Sequence, residues 1–210
     1  MHRAALKLGE PVMIAPIETH SGCSHRVTTN EPIRIEERGP GRFAIDGTPA
    51  DCVRIGLHGV ATDTTWVLAG INHGGNLGAD VWHSGTVAAV REAVLHGLPG
   101  IAVSHFRLKG REYNWHEAAR WIIPVLRELM NGPRLEGVFW NVNIPHLEPG
   151  LPMPEVVTCP LDPTPLPVRY HREGELFHYN GDYHERRRKP GCDVDVCFRG
   201  AIAVTELKLL

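Results

Sequence analysis

Two loops carry the residues able to do chemistry. One reads Ser21-Gly22-Cys23-Ser24-His25. The other is the glycine-dense run Gly70-Ile71-Asn72-His73-Gly74-Gly75-Asn76-Leu77-Gly78, which leads to Ser84-Gly85-Thr86. That last triplet stands where a helix begins. A helix start offers unpaired N–H groups and a partial positive charge, and a glycine there lets an anion approach with no Cβ in the way. Hydroxyls at Ser84 and Thr86 add donors, so a phosphate or similar oxyanion suits the place. A serine at this position is also an ordinary helix cap, and the residues alone leave both readings open. Ser21 and Asn72 bring neutral oxygens of the kind Mg²⁺ or Mn²⁺ accepts, although such ions normally take at least one carboxylate as well. His25 has two readings: a carrier of protons at the site, or a plain loop residue.

Other kinds of site fit less well. His20, Cys23 and His25 lie close together, as do Cys192 and Cys197, but neither spacing matches a structural zinc pattern. No G-x-S-x-G elbow of a serine hydrolase is present. The five cysteines are scattered, odd in number and without a C-x-x-C pair, which suits reduced thiols in a cytoplasm. With 22 basic against 24 acidic residues and a net charge of −2, the chain lacks the basic balance of a nucleic-acid binder. The basic run from His184 to Lys189 reads as a solvated turn. No apolar run approaches the roughly 20 residues that span a bilayer, and the first residues lack the apolar stretch of a signal peptide. Neither nucleic acid nor membrane is therefore an expected partner. Hydrophobic content of 42% over 210 residues is that of a globular protein. A compact fold of 23.3 kDa would expose roughly 9,700 Å².

The elements that must position these loops alternate between strand and helix. Residues 2–9 read as the end of a helix closed by Gly9, and Pro11–Pro16 as a short buried strand. Extended pieces at Ile33–Glu37 and Arg42–Ile45 flank the turn Gly39-Pro40-Gly41, and a short helix follows from Ala50 to Gly59. Thr65–Ala69 is the clearest central strand. Ser84 then caps a helix over Val87–His96 that Gly97 closes. A strand at Gly100–Ser104, a helix capped by Asn114 with Pro124 inside it, and a strand at Val138–Ile144 complete the core. Such alternation predicts an α/β, Rossmann-like fold: a mostly parallel sheet with flanking helices, and a C-terminal β-hairpin extension. Residues 1–147 are expected to form the core, 148–200 the proline-rich, hairpin-bearing extension, and 201–210 a strand returning to the core. In sheets of this kind ligands sit beyond the carboxyl ends of the strands. If the strands ending at Ala15 and Ala69 are neighbours, Ser21 and Asn72 face one crevice. A chain that opens inside a helix feeding a parallel strand also leads one to expect an absent strand before that helix.

Several blocks closely resemble those of the SurE family. They are Ala15-Pro16 with Ser21-Gly22-Cys23-Ser24-His25, Gly47-Thr48-Pro49-Ala50-Asp51-Cys52-Val53, Gly70 to Val81, Ser84-Gly85-Thr86-Val87-Ala88-Ala89, Asn141-Val142-Asn143-Ile144-Pro145, and the tail from Pro190-Gly191-Cys192-Asp193 to Thr205. The resemblance implies a metal-dependent 5′/3′-nucleotidase that uses a divalent cation. It implies Ser21 and Asn72 as metal ligands, with Asn76, Ser84, Gly85 and Thr86 at the phosphate of the substrate. It further implies a homodimer or homotetramer joined through the exchanged hairpin. Members of the family also carry two adjacent aspartates after a first strand, and this sequence has no such pair. Asp46, Asp51 and Asp80 remain, and structural roles suit them better than substitution for those ligands.

Two functions are therefore expected to compete. One is a metal-assisted phosphomonoesterase acting on nucleoside monophosphates, in which the start of the Ser84 helix stabilises developing oxyanion charge. The other is a non-catalytic relative that binds a nucleotide or phosphate without turnover.

Overall fold

A computed structural model describes residues 1–108, 110–181 and 183–209; Leu210, the last residue of the expected terminal strand, lies outside them. The main sheet has five strands in the order β4-β5-β6-β10-β7. These are β4 (Val67–His73), β5 (Gly100–His105), β6 (Val138–Ile144), β7 (Val156–Thr158) and β10 (Ile202–Lys208). Strands β4, β5 and β6 run parallel, β10 is antiparallel to β6, and β7 is parallel to β10. A second sheet holds β1 (Met13–Pro16), β2 (Ile35–Gly39) and β3 (Arg42–Ile45) in the order β1-β3-β2. The strand read as a possible neighbour of β4 thus pairs in parallel with β3 instead. The alternating-strand pattern does not encode which parallel neighbour a strand takes.

Strand β5 is buried along its whole length, and its side chains divide by strict alternation between two faces. Ile101 and Val103 join Val142, Ile144, Ile202 and Val204 in packing against α4 (Trp115–Asn131), which supplies Ala118, Trp121, Ile122, Val125 and Leu126. Ala4 of the short helix α1 (His2–Ala5) enters the same cluster. On the other face Ala102 and Phe139 meet Val87, Val90 and Val94 of α3 (Gly85–Leu95). Beside α3 lies α2 (Pro49–Ile55), whose Val53 meets Ala89 and Ala93. At α2 the Thr48 hydroxyl accepts from the Asp51 N–H while the Asp51 carboxylate accepts from the Thr48 N–H, a reciprocal cap that fixes where the helix starts.

Beyond β7, strands β8 (Tyr170–Glu173) and β9 (Leu176–Tyr179) form a hairpin exposed along both strands. Tyr170, Leu176, Phe177 and Tyr179 each stand 59–63% open to solvent. Helix α5 (Asp193–Phe198) then returns the chain to the sheet. The total exposed area is 12158 Å², well above the roughly 9,700 Å² of a compact monomer of this mass. Among the described residues no helix is long and apolar enough to cross a membrane.

Candidate functional site

The two loops singled out in the sequence meet at the first turn of α3. Ser84 caps that helix, its hydroxyl accepting from the Val87 N–H at 3.1 Å. The Ala88 N–H goes to the Ser84 carbonyl, which leaves the Gly85 and Thr86 amides at the open end of the helix dipole. The 20–25 loop lies directly against this end. A Cβ built at Gly85 would sit 2.9 Å from the Cys23 sulfur, 3.0 Å from Pro49 Cγ and 3.4 Å from the His20 carbonyl oxygen. Two bonds fix the loop: the Ser24 N–H donates to the His83 carbonyl at 3.1 Å, and the Ser24 hydroxyl to the Trp82 carbonyl at 2.8 Å. Ser21, between the two contacting residues His20 and Cys23, is exposed.

Asn72 approaches from the other side. It belongs to β4, which runs on through His73 past an irregularity between Ala69 and Asn72. The expected end of this strand at Ala69 is therefore four residues early. The amide of Asn72 donates to the Gly74 carbonyl at 3.0 Å, which turns its oxygen toward the Thr86 hydroxyl, 3.4 Å away. So Ser21, Asn72, Ser84, Gly85 and Thr86 share one rim although β1 and β4 belong to different sheets; α3, not strand pairing, joins their loops. Replacing Gly85 by valine should push the 20–25 loop off the helix end and weaken phosphate binding at least about tenfold, measured by calorimetry. Unchanged affinity would separate the loop from the binding site.

His25 is held on both sides. Arginine can only donate, so the Arg91 Nε–H at 2.8 Å makes His25 Nδ1 the acceptor, and His25 Nε2 donates to Glu92 at 2.6 Å. Both ring nitrogens are engaged in fixing the loop to α3. Glu92, itself 3% exposed, also accepts from Arg54 Nε at 2.7 Å and from His96 at 3.1 Å. Burial alone would raise this carboxyl; the bonds from His25, Arg54 and His96 outweigh it and hold the group ionised below the usual range.

Asn76 faces inward. Its amide donates to Ser104 at 2.6 Å, its backbone N–H donates to Asn143 at 2.8 Å, and its carbonyl accepts from Asn141 and Asn143. The next turn is tied by Asp193, which accepts from the N–H groups of Gly78 and Asp162, both at 2.8 Å. Arg186 adds a bond of 2.7 Å to Asp80. Asn141, Asn143 and Asp193 thus shape the glycine loop from behind. Sequence reasoning did not give them this role, although two asparagines alternating on one face of an otherwise apolar strand were a signal.

As donors for a divalent cation, Ser21 and Asn72 offer neutral oxygens only. Asp51 is enclosed and accepts from Thr28 and Thr48, Asp80 is paired with Arg186, and Asp46 lies 4.0 Å from Arg34. Among the described residues no group of three or more His, Cys, Asp or Glu is placed to hold a metal ion. The residues present therefore make at most the neutral part of a hard-cation site.

Comparison with known proteins agrees with this architecture. The family model described as "Survival protein SurE" matches residues 1–160. A protein of Nostoc sp. is 50% identical over 198 residues, covering 94% of this chain and 88% of its own length. The "5'-nucleotidase SurE" of Paramagnetospirillum magneticum is 34% identical over 215 residues, covering 99% of this chain and 82% of its own. The crystal structure of the SurE protein from Aquifex aeolicus superposes with a TM-score of 0.86 at 28% identity, covering 99% of this chain and 86% of that one. With its sheet order, its glycine loop and its capped α3, the chain belongs to the SurE family.

Proposed function

We propose that this protein is a phosphomonoesterase of the 5′-nucleotidase class acting on nucleoside monophosphates. The observation that carries the reading is the first turn of α3. There the amides of Gly85 and Thr86 and the Thr86 hydroxyl stand beside Asn72, under a loop that Glu92 anchors through His25. A phosphate dianion gains from such donors in proportion as charge builds on its oxygens during transfer to water. The chain's own contribution is to bind and orient the phosphoryl group through these donors. Related proteins named 5′-nucleotidase support the substrate class. Mg²⁺ or Mn²⁺ is the cation that hard oxygens such as those of Ser21 and Asn72 would select. These donors are neutral, so they would hold such an ion without offsetting its charge.

That same lack of a carboxylate among the described donors favours a second reading, in which the protein binds nucleotides without turning them over. One experiment separates the two. Phosphate release from AMP in the presence of Mn²⁺ supports the hydrolytic reading. AMP binding by calorimetry with no release supports the second, and absence of both contradicts each.

A homodimer or homotetramer in a reducing, cytoplasmic setting belongs to the same proposal. An exposed hairpin bearing Tyr170, Leu176, Phe177 and Tyr179 supports association, and five unpaired cysteines support the setting. Light scattering that gives only the mass of a single chain would contradict the assembly.

A further inference from the structure

At the end of α3 remote from the rim, two histidines face each other. His58 sits on a π-helical turn, Gly56–Val60, directly after α2, and His96 caps the C-terminus of α3. The His58 Nε2 lies 3.3 Å from the His96 Nδ1, with the ring planes inclined at 66°. Both residues are exposed, and a Cβ built on the adjoining Gly59 or Gly97 meets nothing within 4 Å. The pair thus opens to solvent, with room for an ion and its waters. π-Helical turns are rare and gather at functional sites; this one brings His58 to α3.

Glu92 decides which nitrogen of His96 is bare. The His96 Nε2 stands 3.1 Å from the Glu92 carboxylate, which is ionised and can only accept, so Nε2 carries the proton and Nδ1 keeps its lone pair. A carboxylate behind one ring nitrogen, with the other left bare, is how proteins commonly present histidine to a transition metal. Bonds of about 2.0–2.1 Å from one ion to two nitrogens 3.3 Å apart subtend about 107°, close to the tetrahedral angle. His58 would meet the ion in the tautomer that carries its proton on Nδ1, with the Nε2 lone pair turned to the metal. The end of α3 adds the negative pole of the helix dipole, which favours a cation there.

We infer that His58 and His96 form a site for a transition-metal dication, Zn²⁺, bound through His58 Nε2 and His96 Nδ1 with water in the remaining positions. Imidazole nitrogens suit Zn²⁺ and hold Mg²⁺ poorly, whereas the oxygens of Ser21 and Asn72 suit Mg²⁺, so this site differs from the rim in chemistry as well as place. The bound ion clamps the turn after α2 to the end of α3, four residues beyond the Glu92 that anchors the 20–25 loop. None of this depends on the nucleotidase reading.

Calorimetry of the full chain with ZnCl₂ tests the site, with His58→Ala and His96→Ala beside the parent and MgCl₂ as the competitor. Thirteen histidines and five unpaired cysteines offer Zn²⁺ other places to bind, so the variants decide the matter. Zn²⁺ affinity should fall at least about tenfold in each variant, and MgCl₂ should not displace the ion. Saturating Zn²⁺ should raise the urea midpoint of the parent and leave that of His58→Ala unchanged. His58→Ala removes an exposed side chain, and urea midpoints without metal check that both variants are folded. Failure of the parent to bind Zn²⁺, equal affinity in the parent and His58→Ala, or displacement by MgCl₂ overturns the inference. A loss in one folded variant alone overturns it too, because the ion is then not shared by the two rings.

Discussion

Replacing Asp193 by alanine is expected to cost about 4 kcal/mol of folding free energy, because two buried backbone N–H groups from distant segments lose their acceptor. The Asp193 carboxylate is fully enclosed and takes bonds from Gly78, Asp162 and Val194. It has no cationic partner in direct contact among the described residues, and burial raises its pKa above the usual carboxylate range despite those bonds. Charge is thus part of its burden and acceptance of hydrogen bonds its benefit. Asp193→Asn, which keeps one acceptor oxygen and sheds the charge, should lose about half as much. Urea denaturation of the two variants measures both values. A loss below about 1 kcal/mol for the alanine variant would mean that water replaces the carboxylate and that the glycine loop does not depend on it.

The second large effect is a loss of stability on mild acidification. His105 is 3% exposed, and burial, opposed in part by its bond to the Phe106 carbonyl, lowers its pKa to about 4. His146, packed against it, is shifted the same way by burial. At His105 an unfolded chain binds the proton near pH 6.5, whereas the folded one resists it until near pH 4. The unfolded state therefore holds more protons throughout this interval, and stability rises with pH across it. Seen from the other side, stability is complete above about pH 7 and falls by about 3 kcal/mol for His105 alone as pH drops to about 4. Below that, protonation of Asp51, Glu92 and Asp162, each held under the usual carboxylate range by hydrogen bonds, removes more. Denaturation midpoints at pH 7.5 and 4.5 test the first part, and His105→Phe should flatten the dependence. An equal slope in that variant would assign it to other groups.

How far the molecule was legible in its sequence depends on the range over which each feature is determined. Helix α3 was readable because its signals are local: Ser84 at the cap, an apolar face, and Gly97, whose φ of +78° closes the helix. Strands β5 and β6 were readable as short apolar runs. The pairing of β1 was not, since a parallel strand carries no mark of its neighbour, and β1 and β4 do not pair. The reach of β4 through Asn72 and His73 was hidden because glycine and asparagine signal loops, while here His73 pairs with His105. Glu92 looks like a surface residue of α3, yet it is the anchor of the 20–25 loop. Of its three partners, His96 is a local one a turn further along α3, but His25 and Arg54 come from distant segments that only tertiary packing brings to it. A cavity beside His105 was illegible for the same reason, as its lining comes from β5, the segment before α4, α4 itself and the segment after β6.

Amide chemical shifts test most directly whether the start of α3 receives a phosphate ester. In a ¹⁵N–¹H spectrum titrated with AMP, the largest displacements should fall on Gly85 and Thr86, with smaller ones on Asn72 and on the 20–25 loop. Inorganic phosphate should reproduce the first pair. If neither ligand moves Gly85 and Thr86, or if the displacements gather on another face of the molecule, the site assigned to this rim is wrong.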